Sequence, residues 1–506
     1  MNNSDHIDRK LLGGEIMKKK LWILGKFALC ILMLLLIWQL GCKTEEPLEP
    51  QELPITTNSE EARQLFIEAR NFQEFGHPDK AEKLYDQALE IDPNFALAWI
   101  FKAGIAVETG DFQAYLKKAL ELAPTTSEGE QKFLAANQAY YNENDRVKTN
   151  QIYQELAAMY PNDVRLHWYL GNTYSGLNKK EEALASWQKG LTLDPEFAPL
   201  HERLGYFYRL EEEFDKSEAS FKEYLRLAPE EANGYDCLAD LYRRMGRFDE
   251  ALDHYNKAYE MDSSFQASAY KAATTLFFMG KFDEARKGLM ELMELRTEPG
   301  LKVYDMEGIG RSYIFEGDYA KALEANEKII EMAEELGLPE EASFSRLVKS
   351  ILQCELKEYD AAEASLDDCA DFLSKSDLVA FYKNNQLASV TLWRAWIAKE
   401  RGDFESALNY TEEYKAQLDE IGNPIYMKYY PWLLATIALA QGDPTKALEY
   451  FDQTEVDWVL MMYYQGLAKE EAGDMEGAKA LFEKVANWNF ENLWTAYVRR
   501  KAIAKL

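Results

Sequence analysis

Small and aromatic positions return along this chain at a fixed interval. Copies of one pattern open at Ala62, Ala96, Glu130, Val164, Ala198, Ala232 and Gln266, and every interval is 34 residues. The fullest copy runs His167, Leu170, Gly171, Tyr174, Ala183, Trp187, Pro195. The next has His201, Leu204, Gly205, Tyr208, Ser217, Phe221, Pro229, and a third has Tyr235, Leu238, Ala239, Tyr242, Ala251, Tyr255, Ala258. The first copy uses Ala69, Phe72, Ala81, Tyr85, Ala88 and Pro93. A polar turn such as Gly246-Arg-Phe-Asp or Gly280-Lys-Phe-Asp divides a copy into two runs. The pattern predicts two antiparallel helices per copy. Small residues let them approach, aromatic residues fill the wedge beside them, and proline stops the second helix.

Beyond residue 300 the copies lengthen. Turns at Gly317, Lys357, Gly402, Gly442 and Gly473 precede Ala322, Ala362, Ala407, Ala447 and Ala478, which are 40, 45, 40 and 31 residues apart. Helices of about 15–20 residues are expected there, with twelve pairs in all. One pair cannot bury its own apolar face, so the pairs are expected to stack.

This spacing resembles the tetratricopeptide repeat, over about residues 62–490. The resemblance implies an all-α, right-handed superhelical solenoid of about twelve antiparallel helix pairs. The expected organisation is an N-terminal extension with a signal or lipoprotein segment (1–42), a flexible tether (43–61), a regular array (62–299), divergent longer repeats (300–490) and a polar capping helix (491–506). Residues 229–250 also resemble repeat arrays carried by bacterial signalling proteins.

The N-terminus adds an address. Lys18, Lys19 and Lys20 precede an apolar stretch whose unbroken part is residues 27–40. At about 1.5 Å per residue it falls short of a hydrocarbon core of roughly 30 Å, and fits a signal segment better. Gly41-Cys42 then resembles the lipobox of bacterial lipoproteins, although Gln39 and Leu40 depart from its usual residues. The resemblance makes Cys42 the lipid attachment site and places the array outside the cytoplasm, anchored in a bacterial cell envelope. An uncleaved helical anchor and a plain secretory signal are the alternatives. The polar stretch after Cys42 reads as a tether.

Charge narrows the partners. The net charge is −30, which repels nucleic acid and anionic lipid. Cys237, Cys354 and Cys369 form no metal-ligand spacing and read as buried thiols, a Cys354–Cys369 bridge being the alternative. The five histidines lie in no catalytic or metal motif, and no phosphate-binding loop is present. No cofactor, metal or enzymatic activity is expected.

What remains is a groove. In the family that the repeats resemble, the first helix of each pair lines the concave face. Carried onto this chain, the resemblance marks Arg165, Trp168 and Asn172, then Glu202, Tyr206 and Arg209, then Asp236, Asp240, Arg243 and Arg244. Tyr270, Thr274, Phe277, Glu307 and Arg311 continue the stripe. Aromatic anchors with arginines and carboxylates suit a peptide or a partner helix. The expected function is a tethered scaffold that binds other proteins. A regulatory subunit of a signalling system and a glycan or small-molecule binder are the competing readings.

Overall fold

The computed structural model describes residues 52–106, 109–422, 424–454 and 458–506, so Cys42 and the signal segment lie outside the described residues. Among the described residues the regular structure is helical. Twelve helix pairs run from Glu60–Glu74 with Pro78–Ile91 to Val459–Glu471 with Met475–Ala486, and a last helix, Leu493–Ile503, follows. Two compact units contain them. One is made of residues up to Arg70 together with Asp79–Pro195, and the other of Asn71–Pro78 with Glu196–Leu506.

Ala96, Val164, Ala198, Ala232 and Gln266 are each the first residue of a helix, as the 34-residue period predicts. The third pair starts two residues early, at Glu128. Ser127 caps it there, accepting from the Glu130 amide while Glu130 accepts from the Ser127 amide. The second helices Lys180–Leu193 and Phe214–Leu227 stop two residues before Pro195 and Pro229, because a proline disfavours helical backbone at the residue before it.

The small positions are where helices touch. A Cβ on Gly171 would run into the Trp187 indole, and one on Gly205 into the Phe221 ring. Ala183 and Ala251 are fully buried. Between helices the chain reverses through left-handed backbone: Gly317 has φ 86°, and Lys357 does the same work at φ 62° without a glycine.

The longer repeats are confined to part of the expected stretch. Pro299–Glu316 to Phe404–Ile421 are helices of 17 to 22 residues. The last two pairs shorten again to 8–13 residues. Their core is tryptophan-rich: Trp396 stacks on Trp432 at 5.2 Å, and Trp393 on Trp494 at 5.6 Å.

The two terminal segments depart most from expectation. Residues 52–59, expected in a flexible tether, are extended and pinned to the first unit. The final helix is not a polar cap: Thr495, Ala496, Tyr497, Val498 and Ala502 are buried, and it packs on Pro299–Glu316 as well as on Val459–Glu471 and Met475–Ala486. Its alanine-valine face supplies the reason: of the basic residues that suggested a cap, Arg500 and Lys505 are exposed, but Lys501 pairs with Glu355 and Arg499 donates to Asn489. Cys237, Cys354 and Cys369 are buried and free, so the alternative Cys354–Cys369 bridge is not formed. No helix among the described residues is long and apolar enough to cross a membrane.

The glycine contacts give a test of the helix packing. Gly205→Ala is expected to cost about 1–3 kcal/mol, by overpacking against Phe221. Gly300→Ala, whose added Cβ meets nothing, should stay within about 0.5 kcal/mol of the parent. Urea unfolding followed by circular dichroism measures both, and equal effects would mean that the wedge at Gly205 does not set the approach.

Candidate polypeptide-binding surfaces

In the first unit three carboxylates from successive repeats face one extended stretch of chain. Asp163 caps the helix Val164–Gly176 through the amides of Arg165 and Leu166, and its other oxygen accepts from the Leu53 amide at 2.8 Å. Glu130, fully buried, accepts from the Thr56 amide at 2.7 Å and from its hydroxyl. Asp92 accepts from the Asn58 amide at 2.9 Å and the Thr57 hydroxyl at 2.6 Å. Burial pushes the Asp92 carboxyl up, and the hydrogen bonds from Thr57, Asn58 and Asn94 outweigh it, so the group sits below its ordinary range. Leu53, Ile55, Thr57 and Ser59 are half-buried and alternate with exposed neighbours, as in a strand laid on a surface. Backbone amides are read here, so the sequence held no side-chain signature of the contact. The helix-capping residues Asp163 and Glu130 were the available hint.

The same unit carries Arg165, Trp168 and Asn172 on the helix Val164–Gly176. Asn172 accepts from the Trp187 indole at 3.2 Å, and Trp168 packs on Tyr169 with ring centres 5.0 Å apart. Asn172 also borders a cleft of about 340 Å³ walled by Tyr140, Tyr141, Tyr153 and Tyr169, with Asn137 and Arg146 among its polar groups.

In the second unit the predicted stripe divides into a buried ionic network and a filled groove. Asp240 takes Arg209 at 3.2 Å, Lys271 at 3.3 Å, Arg243 at 3.6 Å and the Tyr255 hydroxyl. Asp236 takes Lys271 and Ser268, each at 2.6 Å. Burial alone would raise Asp240, but Lys271, Arg243 and Arg209 overcome it and bring it to about 2. Asp236 goes the other way: burial raises it more than Lys271 lowers it. Lys271 ties adjacent repeats together, yet sequence reading passed over it, because its position shows no repeat-to-repeat signal.

Four predicted contact residues are corrected outright. Asp236, Thr274, Phe277 and Asp240 are all less than a tenth exposed, as is Tyr270, but of these Tyr270 has its hydroxyl on Glu491 of residues 487–491. Phe277 packs on Phe315, the Thr274 hydroxyl is turned back onto the Lys271 carbonyl, and the two aspartates are consumed by the network. Arg209 and Arg243 are likewise framework, because removing either would strip a buried carboxylate of a partner. Glu202 accepts from the Asn233 amide group, and the Tyr206 hydroxyl lies 3.2 Å from the Cys237 sulfur.

Tyr270, Glu307, Arg311 and Arg244 do line a groove, and the chain's own C-terminal segment lies in it. Arg311 holds Glu491 at 2.6 Å, donates to the Tyr270 hydroxyl at 2.6 Å and reaches Glu307 at 3.2 Å. Tyr270 itself donates to Glu491 at 3.4 Å. Arg244 donates to the Asn487 carbonyl at 3.3 Å and covers the rings of Trp488 and Phe490.

The Asp240 cluster makes a pH-dependent prediction. A carboxylate held below its unfolded value adds stability above that value and loses it as the pH falls through the folded one. Asp240→Asn should therefore cost about 3 kcal/mol above pH 5, as a broken buried pair does, and the gap to the parent should narrow from about pH 4 and close below about pH 2. Asp236 and Glu307, both raised by burial, act in the opposite sense, and losing the Asp240 charge removes part of what raises Asp236. A gap that stays constant from pH 7 to pH 3 in urea melts would refute the assignment.

Both units are built from the same pairing of a small residue on the first helix with an aromatic residue on the second. Models of the tetratricopeptide repeat match residues 68–128, 164–197, 196–264 and 433–492, with stretches in each unit. Among solved structures, a tetratricopeptide repeat protein from Parabacteroides merdae is 17% identical, with 52% of this chain and 98% of that one covered and a TM-score of 0.39. YrrB, described as a TPR protein with an unusual peptide-binding site, is 22% identical over 37% of this chain and 94% of its own, with a TM-score of 0.28. MamA is 16% identical over 39% and 95%, with a TM-score of 0.24. No curated protein matches the chain in sequence. The repeat period, the helix pairs with their small-to-aromatic contacts, and the family matches in both units agree: this chain is a tetratricopeptide repeat protein.

Proposed function

We propose that the protein is an envelope-tethered scaffold that binds extended segments of other proteins, and that it is not an enzyme. One observation carries the reading. Each unit holds a non-helical piece of its own polypeptide with side chains drawn from different repeats: residues 53–58 on Asp92, Glu130 and Asp163, and residues 487–491 on Arg244, Tyr270 and Arg311. A surface that binds one extended chain has the chemistry to bind another. Arg165, Trp168 and Asn172 are the proposed partner contacts of the first unit. Those of the second are Tyr206, Arg244, Tyr270, Glu307 and Arg311. The strongly acidic balance argues against nucleic acid. Cys42 is the proposed lipid anchor, with the repeats on the far side of a bacterial membrane from the cytoplasm.

The tyrosine-walled cleft of the first unit favours a second reading, a glycan or small aromatic ligand bound by ring stacking with Asn137 and Arg146 at hand.

Two experiments test the proposal. Cys42→Ala should release the protein from the membrane fraction. A variant that stays there at full size points instead to an uncleaved helix. For binding, the tethered protein is captured with its neighbours and compared with an Arg165→Ala, Trp168→Ala double variant. Recovery of a specific partner should drop about tenfold or more, with helical content and melting unchanged. Equal recovery by the folded double variant removes these residues from the contact.

A further inference from the structure

Residues 487–492 join two helices, Met475–Ala486 and Leu493–Ile503, without helical structure of their own. They lie on first helices of the second unit, and side chains make nearly every contact. Asn489 is buried, and the Glu491 side chain is only 6% exposed against Arg311. Asn489 donates to the carbonyl of Arg244 at 3.3 Å and accepts from Arg499 at 2.9 Å. The Arg244 guanidinium is 4.9 Å from the Trp488 ring and 5.1 Å from the Phe490 ring, with Arg209 6.0 Å from Phe490.

We propose that this groove is a receptor for an extended peptide of the form aromatic-x-aromatic-acidic, and that residues 488–491, Trp-Asn-Phe-Glu, are an internal occupant which such a partner displaces. The inference rests on the scaffold reading above and gives it a partner chemistry. Two cations set that chemistry. Arg244 and Arg311 come from different repeats, and their planar heads suit ring faces at one end and a carboxylate at the other, while Arg209 stays with Asp240, 6.0 Å from the centre of the Phe490 ring.

The segment can leave without the helix behind it. Leu493–Ile503 has its own attachments: Tyr497 and Lys501 both bind Glu355, Lys501 at 2.7 Å, and Trp494 stacks on Trp393. Between the two helices, side chains, two carbonyls and the local backbone bonds of Asn487 to Glu483 and Trp488 to Val485 hold the segment, with no backbone ladder along the groove to break.

Arg311 decides how displacement proceeds. It is 13% exposed, and without Glu491 only Glu307 remains to balance it. An uncompensated buried charge is costly, so the groove exchanges one carboxylate for another instead of standing empty. A partner must therefore bring an acidic residue. An aromatic peptide without one leaves Arg311 to Glu491.

The test uses the full chain and a fluorescein-labelled peptide with the sequence of residues 486–493, Ala-Asn-Trp-Asn-Phe-Glu-Asn-Leu. Anisotropy is measured on the parent and on a Phe490→Ala, Glu491→Gln double variant. The variant should bind about tenfold tighter or better, because its own segment competes less. The same peptide with Gln for Glu should lose about tenfold on that variant. Hydrogen exchange on the parent guards against a variant that fails to fold. Saturating peptide should speed exchange across residues 487–492 and leave residues 493–503 protected. A folded double variant that binds no tighter than the parent overturns the proposal, as does a Gln peptide that binds equally well. So does exchange that is unchanged at saturating peptide. The scaffold reading is judged separately, by partner capture through the first unit: capture that persists while the peptide fails leaves that reading standing and removes only this one.

Discussion

How closely two helices of a pair can approach governs everything else in this protein. Where Gly205 meets Phe221, or Gly171 meets Trp187, a hydrogen on one backbone lets a ring on the other fill the space. Repeating that contact every 34 residues gives each first helix a similar exposure and a similar rotation. Within a unit, side chains at corresponding positions then line up across repeats. The carboxylates that hold residues 53–58 and the arginines around residues 488–491 both depend on this alignment. Neither set is adjacent in sequence.

Charge is handled differently inside and outside. The acidic excess lies on exposed helix faces, while many cations are drawn inward. Lys271 bridges two aspartates of the preceding repeat, Arg209 reaches Asp240 of the next, and Arg296 pairs with the fully buried Asp305 at 2.9 Å. Such pairs contribute little net stability against a hydrophobic alternative, but each is expensive to break from one side. They penalise any slip of one repeat against its neighbour, since a slip would leave a buried charge alone.

The repeat architecture was legible in the sequence because local rules write it. Small, aromatic and proline positions fix the helix starts to within two residues over the regular array, and turns such as Gly317 mark pairs even where spacing drifts. The site was only half legible. Arg244, Tyr270, Glu307 and Arg311 do face a groove. Asp236, Thr274 and Phe277 lie at similar positions but are buried, because repeat position specifies a direction and not what already lies there. The occupants escaped notice for a related reason. Residues 53–59 are recognised through backbone amides that every sequence possesses, and Glu491 looks like any other acid until Arg311 is seen opposite it. Long-range contacts between a terminal segment and distant repeats leave no periodic trace.

The strap formed by residues 53–58 has a mechanical consequence. The chain does not leave the array from its first helix. It runs back along the first unit, bonded successively near the second, third and fourth pairs, as far as the Leu53–Asp163 bond. A pull applied upstream of residue 52 thus arrives at the fourth pair, not at the first. It must break the Leu53–Asp163 bond before it loads Thr56, and Thr56 before Asn58. Tension on the upstream chain would be met by a short series of sacrificial bonds, and the helix Glu60–Glu74 would feel the load last.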